Sequence, residues 1–194
     1  MNTSAIKAIV FDWAGTTVDF GSCAPILAFQ RLFLDQGVEI EVSEARAPMG
    51  LEKRDHIAAL LNMPRIAAAW QTVHGQPATE ADIDRLYQDF IPYQLKAIPQ
   101  CSDLIPGAVE TFQYLRARDI KIGSNTGYAS MMMPELIEKA AQQGYVPDCI
   151  VTATDVTRGR PYPDMLWKNL MQLGVADIKS VVKVMTRWWV LKKV

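Results

Sequence analysis

The chain has few cysteines, no excess of charge of either sign and no long apolar run. Its three cysteines, Cys23, Cys101 and Cys149, are odd in number and widely spaced. That pattern argues against a disulfide framework or a zinc site and favours reduced thiols. No apolar run approaches the ~20 residues of a membrane span, and no signal peptide precedes the first predicted strand. These absences predict a cytoplasmic protein with no membrane partner.

The charge balance gives no basis for binding a polyanion. Twenty basic residues face 21 acidic ones, which leaves a formal net charge of −1. Nucleic acid is therefore not an expected partner. With 194 residues, 49% of them hydrophobic, the chain can bury a sizeable core. These properties agree with a soluble enzyme.

Strand-like segments alternate with helical patterns, which predicts an α/β fold. The segments lie at roughly 6–11, 119–124, 148–152 and 180–184. A long stretch of helical periodicity separates the first two strands and is too long for a simple crossover, which indicates an inserted helical cap. We expect a core of residues 1–19 and 99–184 and a cap of residues 20–98.

Local signals place two helices in the predicted cap. Apolar residues over 24–36 fall mostly on one side, and Gly37 is a stop signal. Thr79 and Asp82 have the spacing of a capping box before a second apolar helix. Pro92 is expected to kink or end that helix.

The most informative segment is the apolar run Ala8–Phe11, which stops at Asp12 and turns through Gly15, Thr16 and Thr17. In open α/β sheets reactive groups lie just beyond the carboxyl ends of strands, where Asp12 falls. Gly15 lets a ligand approach the backbone, and the threonines with nearby N–H groups can hold an oxyanion. A simple strand-ending turn is the alternative explanation.

Two further segments have the composition of ligand-binding loops. The strand Ile120–Gly123 runs into Ser124, Asn125 and Thr126, whose hydroxyls and amide can bind phosphate oxygens; an ordinary polar turn is the alternative. Arg160 lies in a segment with two prolines and can neutralise a phosphoryl group. Taken alone, that segment is better explained as a solvated basic loop made rigid by its two prolines.

Together these segments resemble the haloacid dehalogenase superfamily, in particular its phosphonoacetaldehyde hydrolase branch. The string DWAGTTVD at residues 12–19 is similar to that branch's nucleophile loop, with Ala14 where most superfamily members have a second aspartate. The string MGLEKRDH at residues 49–56 resembles its cap motif, and GRPYPDM at residues 159–165 its arginine segment. The resemblance implies a Rossmann-like parallel sheet with an inserted helical cap.

The resemblance also implies a reaction, hydrolysis of the carbon–phosphorus bond of phosphonoacetaldehyde during 2-aminoethylphosphonate degradation. Lys53 falls where that branch has its Schiff-base lysine, and Asp12 where it has the nucleophile. A lone lysine near a helix start is ordinarily a solvated charge, so this role depends on the surrounding motif. Lys53 must react as a neutral amine, which requires a lowered pKa; burial, or a nearby cation such as Arg54 or His56, would lower it.

The remaining site residues are assigned by the same resemblance. The predicted substrate- and phosphate-binding residues are Gly15, Thr16, Gly50, His56, Ser124, Asn125, Thr126 and Arg160. Magnesium is the implied cofactor, held by Asp12, the backbone carbonyl of Ala14 and an aspartate from a fourth motif. A homodimer is the implied assembly. We also expect the cap to bring Lys53 near Asp12, since both must act on one substrate.

The fourth motif is missing after Val184. The branch continues there with paired aspartates, whereas this chain reads Met185-Thr186-Arg187-Trp188-Trp189 and on to Val194. Met is encoded only by ATG and Trp only by TGG, and restoring one G before codon 185 gives Asp-Asp and, at the sixth codon, Gly. We therefore expect residues 185–194 to be out of frame and the core to be incomplete. A short amphipathic tail is the alternative.

Two other functions stay open at this point. One is a truncated product without activity. The other is a different phosphatase of the same superfamily, against which Ala14 and Lys53 argue.

Overall fold

A computed structural model describes residues 6–185. In this part of the chain four parallel strands form one sheet in the order β3-β2-β1-β4. The strands are β1 (Ala8–Asp12), β2 (Lys121–Thr126), β3 (Cys149–Thr152) and β4 (Val181–Val184). The predicted α/β class with a parallel sheet is confirmed, and each predicted strand lies within two residues of the observed one.

The eight α-helices of the described residues fall into two groups along the chain. Between β1 and β2 lie α1 to α6, and α7 and α8 follow β2 and β3. Their bounds are α1 Cys23–Asp35, α2 Val42–Arg46, α3 Lys53–Leu61, α4 Pro64–His74, α5 Glu80–Ala97, α6 Ala108–Arg116, α7 Pro134–Gln142 and α8 Asp164–Leu173. No helix in the described part is long and apolar enough to cross a membrane.

The chain divides into two compact units. One combines the residues up to Ser22 with those from Cys101 onward and contains the sheet. The other runs from Cys23 to Gln100 and contains α1 to α5. We call them the sheet unit and the helical unit.

In the sheet unit, side chains of β1 alternate between two packed faces. Val10 packs with Leu170 and Leu173 of α8, whereas the Phe11 ring lies 5.3 Å from that of Phe112 on α6. Gly123 of β2 lies opposite Val10 and under α8. A Cβ there would lie 2.6 Å from Asn169 Oδ1, so a glycine is needed for the helix to approach this closely.

In the helical unit, apolar faces of the helices surround a shared core that includes Phe29, Leu60, Trp70 and Phe90. Helix α1 ends two residues before Gly37, which has a φ of 77° as its stop role requires. The predicted capping box of α5 is confirmed, because Asp82 N–H donates to Thr79 Oγ1 while the Asp82 carboxylate accepts from Thr79 N–H.

Pro92 was expected to kink or end α5, and it does not end the helix, which continues to Ala97. Leu86, Phe90, Gln94 and Ala97 form one buried face on both sides of the proline. Packing of that face, much of it against α1, compensates for the hydrogen bond that proline cannot donate.

Candidate active site

The loop after β1 is a compact turn closed by backbone hydrogen bonds. The N–H groups of Thr16 and Thr17 both donate to the Trp13 carbonyl at 2.9 Å, and Gly15 adopts a φ of 80°. Thr17 Oγ1 donates to the Asp12 carbonyl at 3.1 Å. Thr16 Oγ1 is buried and has no hydrogen-bond partner among the described residues. The loop therefore leaves one hydroxyl available for a ligand.

Asp12 forms a buried ion pair with Arg160. Arg160 Nη2 donates to Asp12 Oδ1 at 2.5 Å, and the two side chains are only 10% and 9% exposed. Arg158 anchors the loop that carries Arg160, since it makes a two-point ion pair with Asp164 at the start of α8, both contacts at 2.9 Å. The two segments predicted to carry the nucleophile and the positive charge thus meet at the carboxyl end of β1.

A second cation lies on the same face. Lys183 of β4 is in register with Val10, and Asn125 of β2 with Asp12, so all four side chains share one side of the sheet. Lys183 Nζ donates to Asn125 Oδ1 at 2.8 Å. Because β1 lies between β4 and β2, this hydrogen bond crosses the strand that carries Asp12.

Burial lowers the pKa of Lys183 to about 7; the Asp12 charge acts against this shift and the Arg160 charge adds to it. Lys183 was not among the residues predicted from the sequence. Its one local signal is that it is the single charged residue in the otherwise apolar run 181–184, whereas its position beside Asp12 follows only from the strand register.

The other residues of the β2 segment divide between the faces. Thr126 is buried at the strand end, where its Oγ1 accepts from the Tyr128 N–H at 3.1 Å. Ser124 is in register with Phe11 and accepts a 3.3 Å hydrogen bond from the Tyr145 hydroxyl. The structure therefore brings Asn125 to the face of Asp12 and places the Ser124 side chain on the opposite face. A phosphate contact by Ser124 stays a prediction.

Burial raises the pKa of Tyr145, which keeps its hydroxyl protonated as the donor to Ser124. The Tyr145 ring also packs edge-on against Trp13 and Phe112. An open cavity of about 220 Å³ lies on this aromatic side, lined in part by Thr16, Thr17 and Phe112 but not by Asp12. It therefore reaches the threonines of the nucleophile loop from the side of the Phe11 and Phe112 rings.

In the helical unit, Lys53 is the first residue of α3. Its Nζ lies 5.5 Å from the ring centre of Phe29 and 5.8 Å from that of Phe90. The two rings are stacked, 4.4 Å apart. Distances below about 6 Å are those of cation–π contacts. Lys53 therefore lies beside an aromatic pair at the positive end of a helix.

The other predicted site residues of the helical unit are His56 and Gly50. His56 is fully buried, stacked on Phe29 at 4.0 Å, with its Nε2 3.0 Å from the Ala45 carbonyl oxygen. Gly50 has a φ of 109° between Met49 and Leu51, which form an isolated bridge. His56 thus lies in the buried part of this unit, and its predicted contact with substrate stays a prediction.

Arg54, named as a possible cause of a lowered Lys53 pKa, is engaged elsewhere. It forms ion pairs of 2.7 Å with both Glu80 and Asp84 of α5. The two carboxylates raise the pKa of Arg54 and neutralise its charge. Arg54 is therefore a poor source of electrostatic repulsion for Lys53.

The residues present do not by themselves complete a magnesium site. Mg²⁺ favours several oxygen ligands in octahedral geometry. Over residues 6–185 no group of three or more His, Cys, Asp or Glu side chains is placed to hold a metal ion. Ala14 forms a bridge with Val18 beside Asp12, and residues 186–194, where the fourth-motif carboxylates were sought, lie outside the described residues.

Comparison with known proteins gives consistent matches. A family model of haloacid dehalogenase-like hydrolases matches residues 6–184. The phosphonoacetaldehyde hydrolase of Hahella chejuensis is 54% identical over 179 residues, which are 92% of this chain and 61% of that protein. The enzyme of the same name from Bacillus cereus strain B4264 is 50% identical over 92% of this chain and 68% of its own length. The chain thus spans 61–68% of the length of these curated relatives.

Solved structures agree with this. A phosphonoacetaldehyde hydrolase-like protein from Oleispira antarctica matches with a TM-score of 0.90 at 48% identity, over 93% of this chain and 66% of that one. A β-phosphoglucomutase from Clostridium difficile, at 18% identity and a TM-score of 0.68, shares the fold.

Proposed function

Because the chain belongs to the haloacid dehalogenase-like hydrolases, we propose that it acts on phosphonoacetaldehyde and hydrolyses its carbon–phosphorus bond to acetaldehyde and phosphate. The observation that carries the proposal is the buried Asp12 carboxylate at the end of β1, with Arg160 and Lys183 on the same face. Two cations beside one carboxylate favour a ligand with more than one negative charge, such as a phosphonate.

Ala14, two residues after Asp12, favours carbon–phosphorus cleavage over ester hydrolysis. An ester needs an acid to protonate its leaving oxygen, and Ala14 has none to give. A carbon leaving group instead needs an electron sink. An iminium formed between the substrate aldehyde and Lys53 is such a sink, which favours the phosphonate over a phosphate ester.

The surroundings of Lys53 act on its charge in opposite directions. The N-terminus of α3 disfavours an ammonium at its first residue, whereas the rings of Phe29 and Phe90 stabilise a cation. Because the iminium is itself cationic, the aromatic contact favours the intermediate as well as the ammonium. The helix end thus promotes formation of the nucleophilic amine, and the rings stabilise the product of its attack.

Asp12 would then attack phosphorus in line while the carbon departs as an enamine. Arg160 and Lys183 stabilise the phosphoryl oxygens, and the hydroxyls of Thr126 and Thr16 donate to them. Water hydrolyses the aspartyl phosphate and the imine, which releases phosphate and acetaldehyde. The mechanism requires Lys53 and Asp12 to act on one substrate molecule.

The magnesium implied by the resemblance would be held by Asp12 and the Ala14 carbonyl, together with a carboxylate that the described residues do not supply. Degradation of 2-aminoethylphosphonate, a cytoplasmic location and a homodimer are parts of the same proposal. Sedimentation of the purified protein tests the dimer.

Reductive trapping tests the proposal. The protein is incubated with phosphonoacetaldehyde and borohydride, and the modified peptide is mapped by mass spectrometry. We expect a reduced two-carbon adduct on Lys53, because only an aldehyde that has formed an iminium is trapped. Lys53→Arg should abolish both the adduct and acetaldehyde release, since guanidinium is not nucleophilic near neutral pH.

Lys96→Arg is the matched control, because Lys96 is an exposed lysine of the same helical unit. It should leave the Lys53 adduct unchanged. An adduct only on other lysines, or phosphate release from simple phosphate esters at a comparable rate, would contradict the proposal.

A further inference from the structure

Gln94 of α5 has a buried side-chain amide without a hydrogen-bond partner in the described part of the chain. The residue is 0% exposed. Neither its Nε2 nor its Oε1 has a hydrogen-bond partner among residues 6–185. An amide carries two donors and an acceptor with two lone pairs, and an unsatisfied buried amide destabilises the folded state. An apolar residue would fill this position at lower cost, so the amide calls for an explanation other than packing.

The position of Gln94 on the helix connects it to Lys53. Gln94 follows Phe90 by four residues on the buried face of α5, so the two side chains are neighbours. Long side chains on a helix lean toward its N-terminus, which directs the amide of Gln94 toward Phe90. Phe90 in turn stacks on Phe29, and Lys53 Nζ lies beside both rings. The helical spacing therefore places the amide next to Phe90, one of the two rings that Lys53 borders.

We propose that Gln94 binds the aldehyde oxygen of the substrate while Lys53 forms the iminium. The inference rests on the proposed function and adds a residue to it. In the first step the Lys53 ammonium gives up one proton to water and its amine forms a bond to the aldehyde carbon, while the carbon–oxygen π pair moves to oxygen. Gln94 Nε2 donates a hydrogen bond to that oxygen as its charge grows.

In the second step the nitrogen loses one proton to the oxygen, and the proton that Lys53 released returns from water to the resulting hydroxyl. The oxygen takes up one proton to give a carbinolamine, whose hydroxyl donates to Gln94 Oε1. The hydroxyl then takes up the second proton and leaves as water, while the nitrogen lone pair forms the carbon–nitrogen double bond. Aldehyde and ammonium thus become protonated iminium and water with no other reactant.

A neutral amide suits this position better than an acid. It serves as donor to the aldehyde and as acceptor from the carbinolamine without changing its charge. A buried carboxylate beside Lys53 would instead favour the ammonium and suppress the nucleophile. The neutral state of Gln94 is therefore compatible with an amine that must lose its proton.

The test compares Gln94→Met with Gln88→Met, an exposed position on the same helix. Methionine keeps the length of the side chain and removes its donors and acceptor. Two quantities are measured on the full chain: the urea midpoint of the free protein, and the rate at which borohydride and phosphonoacetaldehyde yield the Lys53 adduct. For Gln94→Met we expect a higher midpoint and trapping roughly 10- to 100-fold slower. Gln88→Met should change neither.

A second variant, Gln94→Glu, adds a readout that packing alone does not move. A protonated glutamic acid still offers one donor and one acceptor, whereas its carboxylate offers no donor. The trapping rate of Gln94→Glu relative to the unmodified protein should therefore fall as pH rises.

The outcomes distinguish failure of the role of Gln94 from failure of the proposed function. A Lys53 adduct that forms at rates within twofold in the Gln94→Met and unmodified proteins overturns the role of Gln94 and leaves the proposed function standing. A lower urea midpoint together with slower trapping shows a structural role and also overturns it. If the unmodified protein gives no adduct on Lys53, the proposed function fails and this inference with it.

Discussion

Replacing Lys183 by methionine should stabilise the free protein and remove part of the dependence of its stability on pH. Lys183 is a half-buried lysine whose ammonium donates to Asn125 beside the Asp12–Arg160 pair. Burial lowers its pKa from 10.5 to about 7. The folded state therefore disfavours the charged form, and the protein loses free energy of unfolding wherever the unfolded chain holds a proton there.

The magnitude follows from the shift. Each pKa unit corresponds to 1.36 kcal/mol, so a fall from 10.5 to about 7 sets a ceiling of about 5 kcal/mol. The side chain keeps part of its contact with solvent and has a hydrogen-bond acceptor in Asn125. Both reduce the penalty, and we expect Lys183→Met to gain roughly 2 kcal/mol at pH 6.

The sign of the pH effect is opposite to that of a lysine held in an ion pair. Below pH 7 Lys183 is charged in both states and the penalty is complete. Between pH 7 and 10.5 the unfolded chain binds more protons than the folded one, so stability rises with pH. Above 10.5 the penalty is absent. The advantage of Lys183→Met should therefore shrink steadily across this window.

Urea denaturation at pH 6, 7, 8, 9 and 10 measures the difference in free energy of unfolding between the two proteins. Groups that both proteins contain titrate alike, so their contributions cancel from this difference. Lys179→Met, at an exposed position just before β4, is the control and should show no such trend. A difference that is constant with pH, or a methionine variant less stable at pH 6, would refute the electrostatic account of this residue.

Three further changes test the packing and the site. Gly123→Ala should lower the free energy of unfolding by about 1–3 kcal/mol, because its Cβ would lie 2.6 Å from Asn169 Oδ1; an effect below about 0.5 kcal/mol would show that α8 shifts freely. Pro92→Ala should stabilise the helical unit by about 1 kcal/mol, since it restores an N–H to the interior of α5. Urea denaturation measures both. Inserting one G before codon 185 should raise magnesium-dependent acetaldehyde release, because it supplies paired carboxylates after Val184; equal release by both proteins would mean that residues 185–194 are not out of frame.

Local rules predicted most of the fold. Apolar runs identified all four strands of the described sheet, and the Thr79–Asp82 box marked the start of α5. Pro92 failed as a stop because helix packing extends across it, which a local pattern does not contain. Tertiary contacts therefore decided the one helix boundary that local rules got wrong.

The candidate site was only partly visible in the sequence. Asp12 and Arg160 stood out because their flanking residues form recognisable segments. Ser124 was grouped with Asn125 by proximity in the chain, although alternation along a strand sends adjacent side chains to opposite faces. Lys183 and Gln94 carry no motif. Their significance depends on strand register and burial, which appear only when distant segments are paired.

The insertion of the helical unit within the sheet unit has a consequence for how the protein folds during synthesis. Contacts among α1 to α5 join residues within one continuous segment, whereas Ala8 at the centre of the sheet must wait for Lys121 and Val181. Local contacts form faster than pairings across long loops. The helical unit should therefore fold on the ribosome while β1 is still unpaired, which leaves an apolar strand exposed to chaperones or to aggregation until β2 emerges.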